Sequence, residues 1–233
     1  MIKFIALDID GVIYSSENFL HEAYKIGIND FLKYYPIEGI KVPQVEDIIN
    51  LVGQTYKVII SNLFPKLEEK EKLILREYIL KALIKLIEEK RGILLEGVYE
   101  FLNYFKNNKI LIGTSSNGSE SYCEAVLKTY DLVKYFDERK YVDFINFNDK
   151  SDILIYYKQK YKLNEEEILF IGDRLTDVEA AIKAQTLFIG ISGHGNIDEL
   201  KNVKIIVNNL RESIPFIINF KKEELCLKNT WNL

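Results

Sequence analysis

The chain has little of what would mark a secreted, membrane-spanning or nucleic-acid-binding protein. Its 233 residues hold only two cysteines, Cys123 and Cys226, too few for a disulfide framework and consistent with reduced residues in a cytoplasmic protein. No window approaches 18 consecutive apolar residues, so no membrane span is expected. The N-terminal apolar run meets Asp8 almost at once, too early for the apolar core of a secretory signal. Neither charge sign dominates. The formal net charge is −4, with Lys and Glu intermixed, which gives no footprint for nucleic acid and no polybasic patch for a lipid surface. Proline is scarce, with four residues, and no repeat or low-complexity segment breaks the chain. What remains, 48% hydrophobic and 28% charged, is an ordinary globular composition.

Several short apolar runs read as strands: 3–9, 109–115, 141–146, 167–173, 186–192 and 203–207. Most are continuous rather than alternating, as expected for parallel strands covered on both faces. Helical patterns lie between them, at 97–109, from the Ser119 cap onward, from a Ser151 or Asp152 cap onward, and at 175–184. This alternation predicts an α/β fold with a doubly wound parallel sheet. Residues 15–95 differ, with no convincing strand. They carry an early helical segment and a long one from Pro65 to Gly92, whose apolar residues at 67, 74, 75, 78, 79, 82, 83, 86 and 87 form one stripe. The expected organisation is a core of residues 1–14 plus 96–220, a helical domain of residues 15–95 inserted after the first strand, and a tail of residues 221–233.

The first strand ends in Asp8-Ile9-Asp10-Gly11. Residues two apart on a strand share a face, so two carboxylates there need a cation, a proton or a ligand to offset them. Ligands of open α/β sheets bind beyond the carboxyl ends of the strands. The other strand ends supply Thr114, Ser115, Ser116 and Asn117, then Lys150, then Asp173 and Asp177. This rim is too acidic to hold a phosphate unaided, but suits Mg²⁺, which takes a few carboxylate oxygens and a substrate phosphate oxygen. Asp8, the Asp10 carbonyl and Asp173 are the candidate protein ligands.

Four motifs in order, DIDGV at 8–12, Thr114 after an apolar strand, Lys150, and GDRLTD at 172–177, resemble those of the haloacid dehalogenase-like superfamily. The helical insertion is similar to that superfamily's C1 cap, as in its phosphoglycolate phosphatase and β-phosphoglucomutase branch. The resemblance spans residues 2 to about 215 and implies a Rossmann-like core with a cap, acting as a Mg²⁺-dependent phosphatase on a small phosphorylated metabolite. It implies Asp8 as the nucleophile that forms an aspartyl-phosphate, and Asp10 as general acid and base. Thr114 and the Ser115 N–H would hold phosphoryl oxygens, with Gly11 also beside the substrate, and Lys150 would balance charge. Asp8, Asp10, Asp173 and Asp177 would form the metal side, Asp177 acting through water or by anchoring Lys150. Monomer and homodimer are both compatible with this reading.

Each residue also has an ordinary reading, since strand-end Asp, Thr and Lys residues commonly cap helices and turns. Ser115 and Ser116 are alternative registers for Thr114, and Lys140, Lys158 and Lys160 are alternatives to Lys150. Asp10 argues against the dehalogenase branch, which lacks that acid, and Ile9 against the P-type ATPase pattern. Mutases of the β-phosphoglucomutase type carry a histidine where this chain has Leu20, with His21 one position off. A phosphomutase or phosphotransferase and a non-catalytic phospho-ligand module stay as alternatives. His194 sits in a glycine-flanked loop near the rim. Tyr34, Tyr35, Tyr56 and Tyr78 read as cap packing, with room for one of them at the substrate.

Overall fold

The computed structural model describes residues 1–192 and 197–219, so His194, Cys226, Trp231 and the expected tail lie outside the described residues. Strand β1 (Phe4–Leu7) leads through a tight turn into β2 (Tyr14–Ser15). Four helices follow: α1 (Glu17–Tyr34), α2 (Val45–Ile49), α3 (Tyr56–Leu63) and α4 (Glu69–Glu88). The chain returns through β3 (Ile93–Leu94), then runs α5 (Val98–Asn107), β4 (Leu111–Thr114), α6 (Glu120–Thr129) and α7 (Lys150–Tyr161). It continues with β5 (Ile168–Gly172), α8 (Leu175–Ala184), β6 (Leu187–Ile191), β7 (Ile206–Val207) and α9 (Leu210–Ile218).

The main sheet has the order β4-β1-β5-β6-β7, and every pairing in it is parallel. This is the α/β core expected from the continuous apolar runs. All four residues of β1 are buried, and their alternation feeds two separate cores. Ile5 and Leu7 face the layer of α5, α6 and α9, while Phe4 and Ala6 face α7 and α8. Each fully buried Leu, Ile or Phe side chain in these layers contributes about 1.5–3 kcal/mol relative to exposure.

Three local expectations are corrected. Residues 141–146 form no strand, because the Asp143 carboxylate accepts N–H groups from Ile145, Asn146 and Phe147 at 2.7–3.0 Å and folds the segment into a turn. Helix α7 is capped by Asp149, not Ser151 or Asp152; its side chain accepts the Ser151 and Asp152 N–H groups at 2.8 and 3.2 Å. The long helix of the insertion starts after Glu68, where the Glu71 carboxylate accepts the Glu68 N–H at 2.8 Å, so Pro65 lies in the preceding turn.

The helical insertion builds a third hydrophobic cluster of its own, centred on Leu20, Tyr24, Ile28, Phe31, Ile60 and Leu75. The predicted stripe on α4 faces inward, with Leu75, Ile79, Ala82, Leu86 and Ile87 buried. Its C-terminal part, Ala82, Leu86 and Ile87, packs into the main core together with Phe19 and Ala23 of α1. The sequence showed no strand in the 15–95 stretch, yet Tyr14–Ser15 and Ile93–Leu94 pair as a two-stranded antiparallel ribbon where the insertion leaves and rejoins the core.

Helices α1 and α4 approach closely at Gly27, where a Cβ would stand 2.6 Å from the Ile79 Cα. Gly27→Ala is therefore expected to force the two helices apart and to destabilise the protein by about 1–3 kcal/mol, despite the better helix propensity of alanine. Urea unfolding checks this, and equal or greater stability would contradict the close packing.

Candidate active site

The site is assembled at the carboxyl ends of β1, β4 and β5 and the start of α7. Beyond β1 the chain must turn at once. The Ile9 carbonyl accepts the Ile13 and Tyr14 N–H groups at 2.9 and 3.0 Å, and Gly11 adopts a φ of +75°. A Cβ at Gly11 would lie 2.0 Å from Asp173 Oδ2, so this position needs glycine for both backbone and space. The Gly11 N–H donates to the Tyr14 carbonyl at 2.9 Å and is committed to the turn. At Gly11, expected beside the substrate, the missing Cβ lets Asp173 approach.

Lys150 is the hub. Its ammonium is 2.6 Å from Asp8 Oδ2 and 2.6 Å from Asp177 Oδ1, and all three side chains are at most 2% exposed. The Asp149 cap fixes the first turn of α7 and so aims Lys150 inward, which places Lys150 rather than Lys140, Lys158 or Lys160 at the carboxylates. Burial alone would lower the Lys150 pKa, but Asp177 and Asp8 outweigh it and hold the pKa above its ordinary value. Burial pushes Asp8 up, against the opposing pull of Lys150. The other Asp8 oxygen, Oδ1, accepts the Ile9 N–H at 2.8 Å.

Both Asp177 oxygens are engaged. Oδ1 holds Lys150, and Oδ2 accepts the Asp173 and Arg174 N–H groups, each at 3.0 Å. Of the two expectations for Asp177, anchoring Lys150 matches this geometry. Asp173 is the reverse case, since its Oδ1 is buried without a hydrogen-bond partner. Burial, with Asp177 and Asp8 nearby, pushes its pKa well up. Carboxylate oxygens of Asp8, Asp173 and Asp177 all lie within 4.8 Å of one another. Ionised, these three carboxylates would leave two negative charges against one ammonium, and Asp173 Oδ1 has no partner of its own. That donor set fits a hard divalent cation.

Asp10 stands apart from this cluster. Its Oδ1 accepts the Tyr122 hydroxyl at 2.6 Å and the Ser16 hydroxyl at 3.4 Å. Burial, opposed by the Tyr122 hydrogen bond, raises its pKa to about 7. A carboxyl group with that value can give or take a proton near neutrality.

The Thr114 hydroxyl, expected at the phosphoryl group, is engaged away from the cavity. Thr114 pairs with Leu7 in the sheet, and its hydroxyl is held by the Lys140 backbone, accepting its N–H at 2.9 Å and donating to its carbonyl at 3.1 Å. The Ser115 N–H is equally committed, donating to the Leu7 carbonyl at 2.9 Å. Continued by one residue, this register sets Ser115 beside Asp8; its hydroxyl donates to the Lys150 carbonyl at 3.1 Å. Ser116 and Asn117, the next residues, are the ones that open onto the cavity.

That cavity lies between the core rim and the helical insertion, enclosing about 860 Å³ with its open mouth included. Asp8, Asp10, Lys150, Ser116 and Asn117 form its floor. The insertion forms the roof and is tied down at its edge, where the Asn117 side chain donates to the Gly53 carbonyl at 2.8 Å. Tyr56 of α3 also meets Phe144 of the core edge-on, with ring centroids 5.6 Å apart. Leu20 lines the cavity, and His21 does not. Of the insertion tyrosines expected to pack, Tyr56 reaches it, whereas Tyr35 and Tyr78 pack on Phe31 and Tyr34 stacks on Tyr78. Sequence reasoning missed Tyr122, Asn117's bond to Gly53, and Arg76, which reaches the cavity from α4. Nothing in their local spacing distinguishes them from ordinary helix and loop residues.

Lys150→Met removes the only ammonium between two buried carboxylates. With a chelator present, the expected loss of stability is about 3–5 kcal/mol near neutral pH. Without the lysine, the folded-state carboxylate pKa values rise above their unfolded values, so the folded state binds more protons. The deficit then shrinks as pH falls from 7.5 to 5.5. Urea unfolding at both pH values checks this, and a deficit that grows on acidification would contradict the assignment.

Comparison with known proteins agrees with this architecture. The family model described as haloacid dehalogenase-like hydrolase matches residues 5–191. A protein of Listeria welshimeri named pyrophosphatase PpaX is 26% identical over 193 residues, covering 82% of this chain and 83% of that protein. Among solved structures, one described as a predicted phosphatase from Clostridium acetobutylicum superposes with a TM-score of 0.77 at 21% identity, covering 94% of this chain and 100% of the other. Another, described as a predicted phosphoglycolate phosphatase from Haemophilus somnus, reaches a TM-score of 0.80 at 17% identity, covering 93% and 98%. With a family model matched over most of its length, from the first strand through the sixth, the chain belongs to the haloacid dehalogenase-like hydrolases.

Proposed function

We propose that this hydrolase is a phosphatase that cleaves a small phosphorylated metabolite through an aspartyl-phosphate on Asp8. The observation that carries the reading is Asp8 itself: a carboxylate held at both oxygens on the cavity floor, next to an Asp10 poised to exchange a proton. Asp8 attacks phosphorus, the bond from phosphorus to the leaving oxygen breaks, and Asp10 delivers its proton to that oxygen. Asp10 then takes a proton from water as the water attacks the phosphoryl group, which frees phosphate and restores Asp8. Lys150 holds Asp8 in line and offsets charge as the phosphoryl group arrives, while Asp177 keeps Lys150 in place. The Ser115 and Ser116 segment is the candidate cradle for phosphoryl oxygens, with Ser116 on the cavity side.

Asp8, the Asp10 carbonyl and Asp173 would hold Mg²⁺, which when bound spreads the negative charge of the transferring phosphoryl group. Residues 15–95 serve as the cap that closes over the substrate and excludes bulk water. The cavity supports hydrolysis over a mutase reaction, since Leu20 rather than His21 faces it, and no histidine among the described residues lines it.

Release of inorganic phosphate from p-nitrophenyl phosphate, with and without Mg²⁺, tests the reading. Asp8→Asn is expected to lose at least about 10³-fold in kcat, and Asp10→Asn about 10²–10⁴-fold. Removing divalent cations with a chelator should abolish turnover, and Mg²⁺ should restore it. Activity that survives in Asp8→Asn would sink the mechanism.

A further inference from the structure

The two halves of the cavity are chemically unlike. The floor carries the carboxylates, Lys150, Ser116 and Asn117. The roof is hydrocarbon, with Leu20, Tyr24, Val52, Ile60, Ile79 and Leu83 facing inward from the insertion. Leu80 and Leu83 are only partly buried because their free sides look into this space. Among the described residues from α1 to α4 that line the cavity, the only polar groups are Gln54, Arg76 and the hydroxyls of Tyr24 and Tyr56. Arg76 is already engaged, with its guanidinium 3.9 Å over the Tyr56 ring and Nη1 2.6 Å from Glu77 Oε1.

This roof discriminates by what it lacks. A sugar or polyol phosphate closed beneath it would strand several hydroxyls against hydrocarbon, and each loses its water without gaining a partner. Pyrophosphate would set a second phosphate against the same surface, with one guanidinium that is shared already. An apolar leaving group does the opposite, since it displaces water from Val52, Ile59, Leu80 and Leu83, the lining residues that are only half-buried.

We infer that the substrate is the phosphate monoester of an apolar alcohol, with a ring or branched body that fills the roof while its phosphate sits on the floor. This rests on the reading of Asp8 as the phosphoryl acceptor. Arg76, at the end of the roof, meets a single acceptor atom on the far side of that body.

The test is a comparison of kcat/KM by phosphate release with Mg²⁺ present. The substrates are benzyl phosphate, glycerol 3-phosphate, glucose 6-phosphate, pyrophosphate and acetyl phosphate. Benzyl, glycerol and glucose phosphates all leave as primary alkoxides, so their differences report the roof rather than intrinsic reactivity. Benzyl phosphate is expected to exceed glycerol and glucose phosphates by about 100-fold. Leu83→Asn, at a half-buried position packed against both the main core and the insertion's own cluster, should cut the benzyl-to-glycerol selectivity at least about tenfold in protein whose fold is verified by urea unfolding. If acetyl phosphate is cleaved but glycerol phosphate, glucose phosphate or pyrophosphate matches or beats benzyl phosphate, the inference is overturned and the phosphatase reading stands. Selectivity unchanged in Leu83→Asn overturns it as well. If not even acetyl phosphate is cleaved, the reading of Asp8 fails and takes this inference with it.

Discussion

The rest of the site depends on one buried cation. Lys150 reaches Asp8 at the end of β1 and Asp177 in the first turn of α8, and Asp177 in turn grips the backbone of Asp173 and Arg174. A single side chain thus joins the ends of two adjacent parallel strands and the starts of two helices. The arrangement is a positioning device rather than a source of stability. Burying charged groups is costly, and their mutual attraction does little more than offset that cost. Stability comes from the two apolar layers around the sheet, and these hold the strand ends rigidly enough for the charged groups to meet at 2.6 Å.

The fold was legible because its signal is local and repeated. Continuous apolar runs such as Phe4–Leu7 and Leu187–Ile191 have no polar face to hide, and only a sheet covered on both sides satisfies them. The misread run at 141–146 shows the limit of that signal. Its Tyr, Val, Phe and Ile suit a strand, but Asp143 offers the following N–H groups a closer acceptor than any neighbouring strand does. The same competition moved the start of α7 to Asp149.

The acidic part of the site was also legible, because Asp8, Asp10, Asp173 and Asp177 sit where strand periodicity ends. The hydroxyl position was not. Which of Thr114, Ser115 and Ser116 faces the floor depends on a one-residue register between β1 and β4, and that register is set by long-range packing. The roof was illegible for a different reason. Leu83 and Ile79 lie on the same apolar stripe as residues that merely pack the insertion, and helical spacing cannot tell a side chain that faces a neighbour from one that faces a cavity. Arg76 and Tyr122 are hidden likewise, since their roles arise only when helices distant in sequence converge.

The charge balance of the floor explains why an insertion is needed at all. Fully ionised, Asp8, Asp173, Asp177 and Lys150 would carry two negative charges at and beside the floor, so a phosphate dianion would approach groups of its own sign. In open water that repulsion is weak, but so is every attraction that would hold the phosphate in line. Covering the floor strengthens both. Directed contacts with Lys150, and with a cation where the carboxylates would hold one, would grow as water leaves. An apolar roof is the surface best suited to exclude water without adding competing charge. Its single arginine, stacked on Tyr56 and paired with Glu77, leaves the field below to Lys150 and the carboxylates. The chemistry and the cover are thus complementary demands on one cavity. The core concentrates charge where the reaction occurs, and the insertion supplies the dry surface that makes the charge effective.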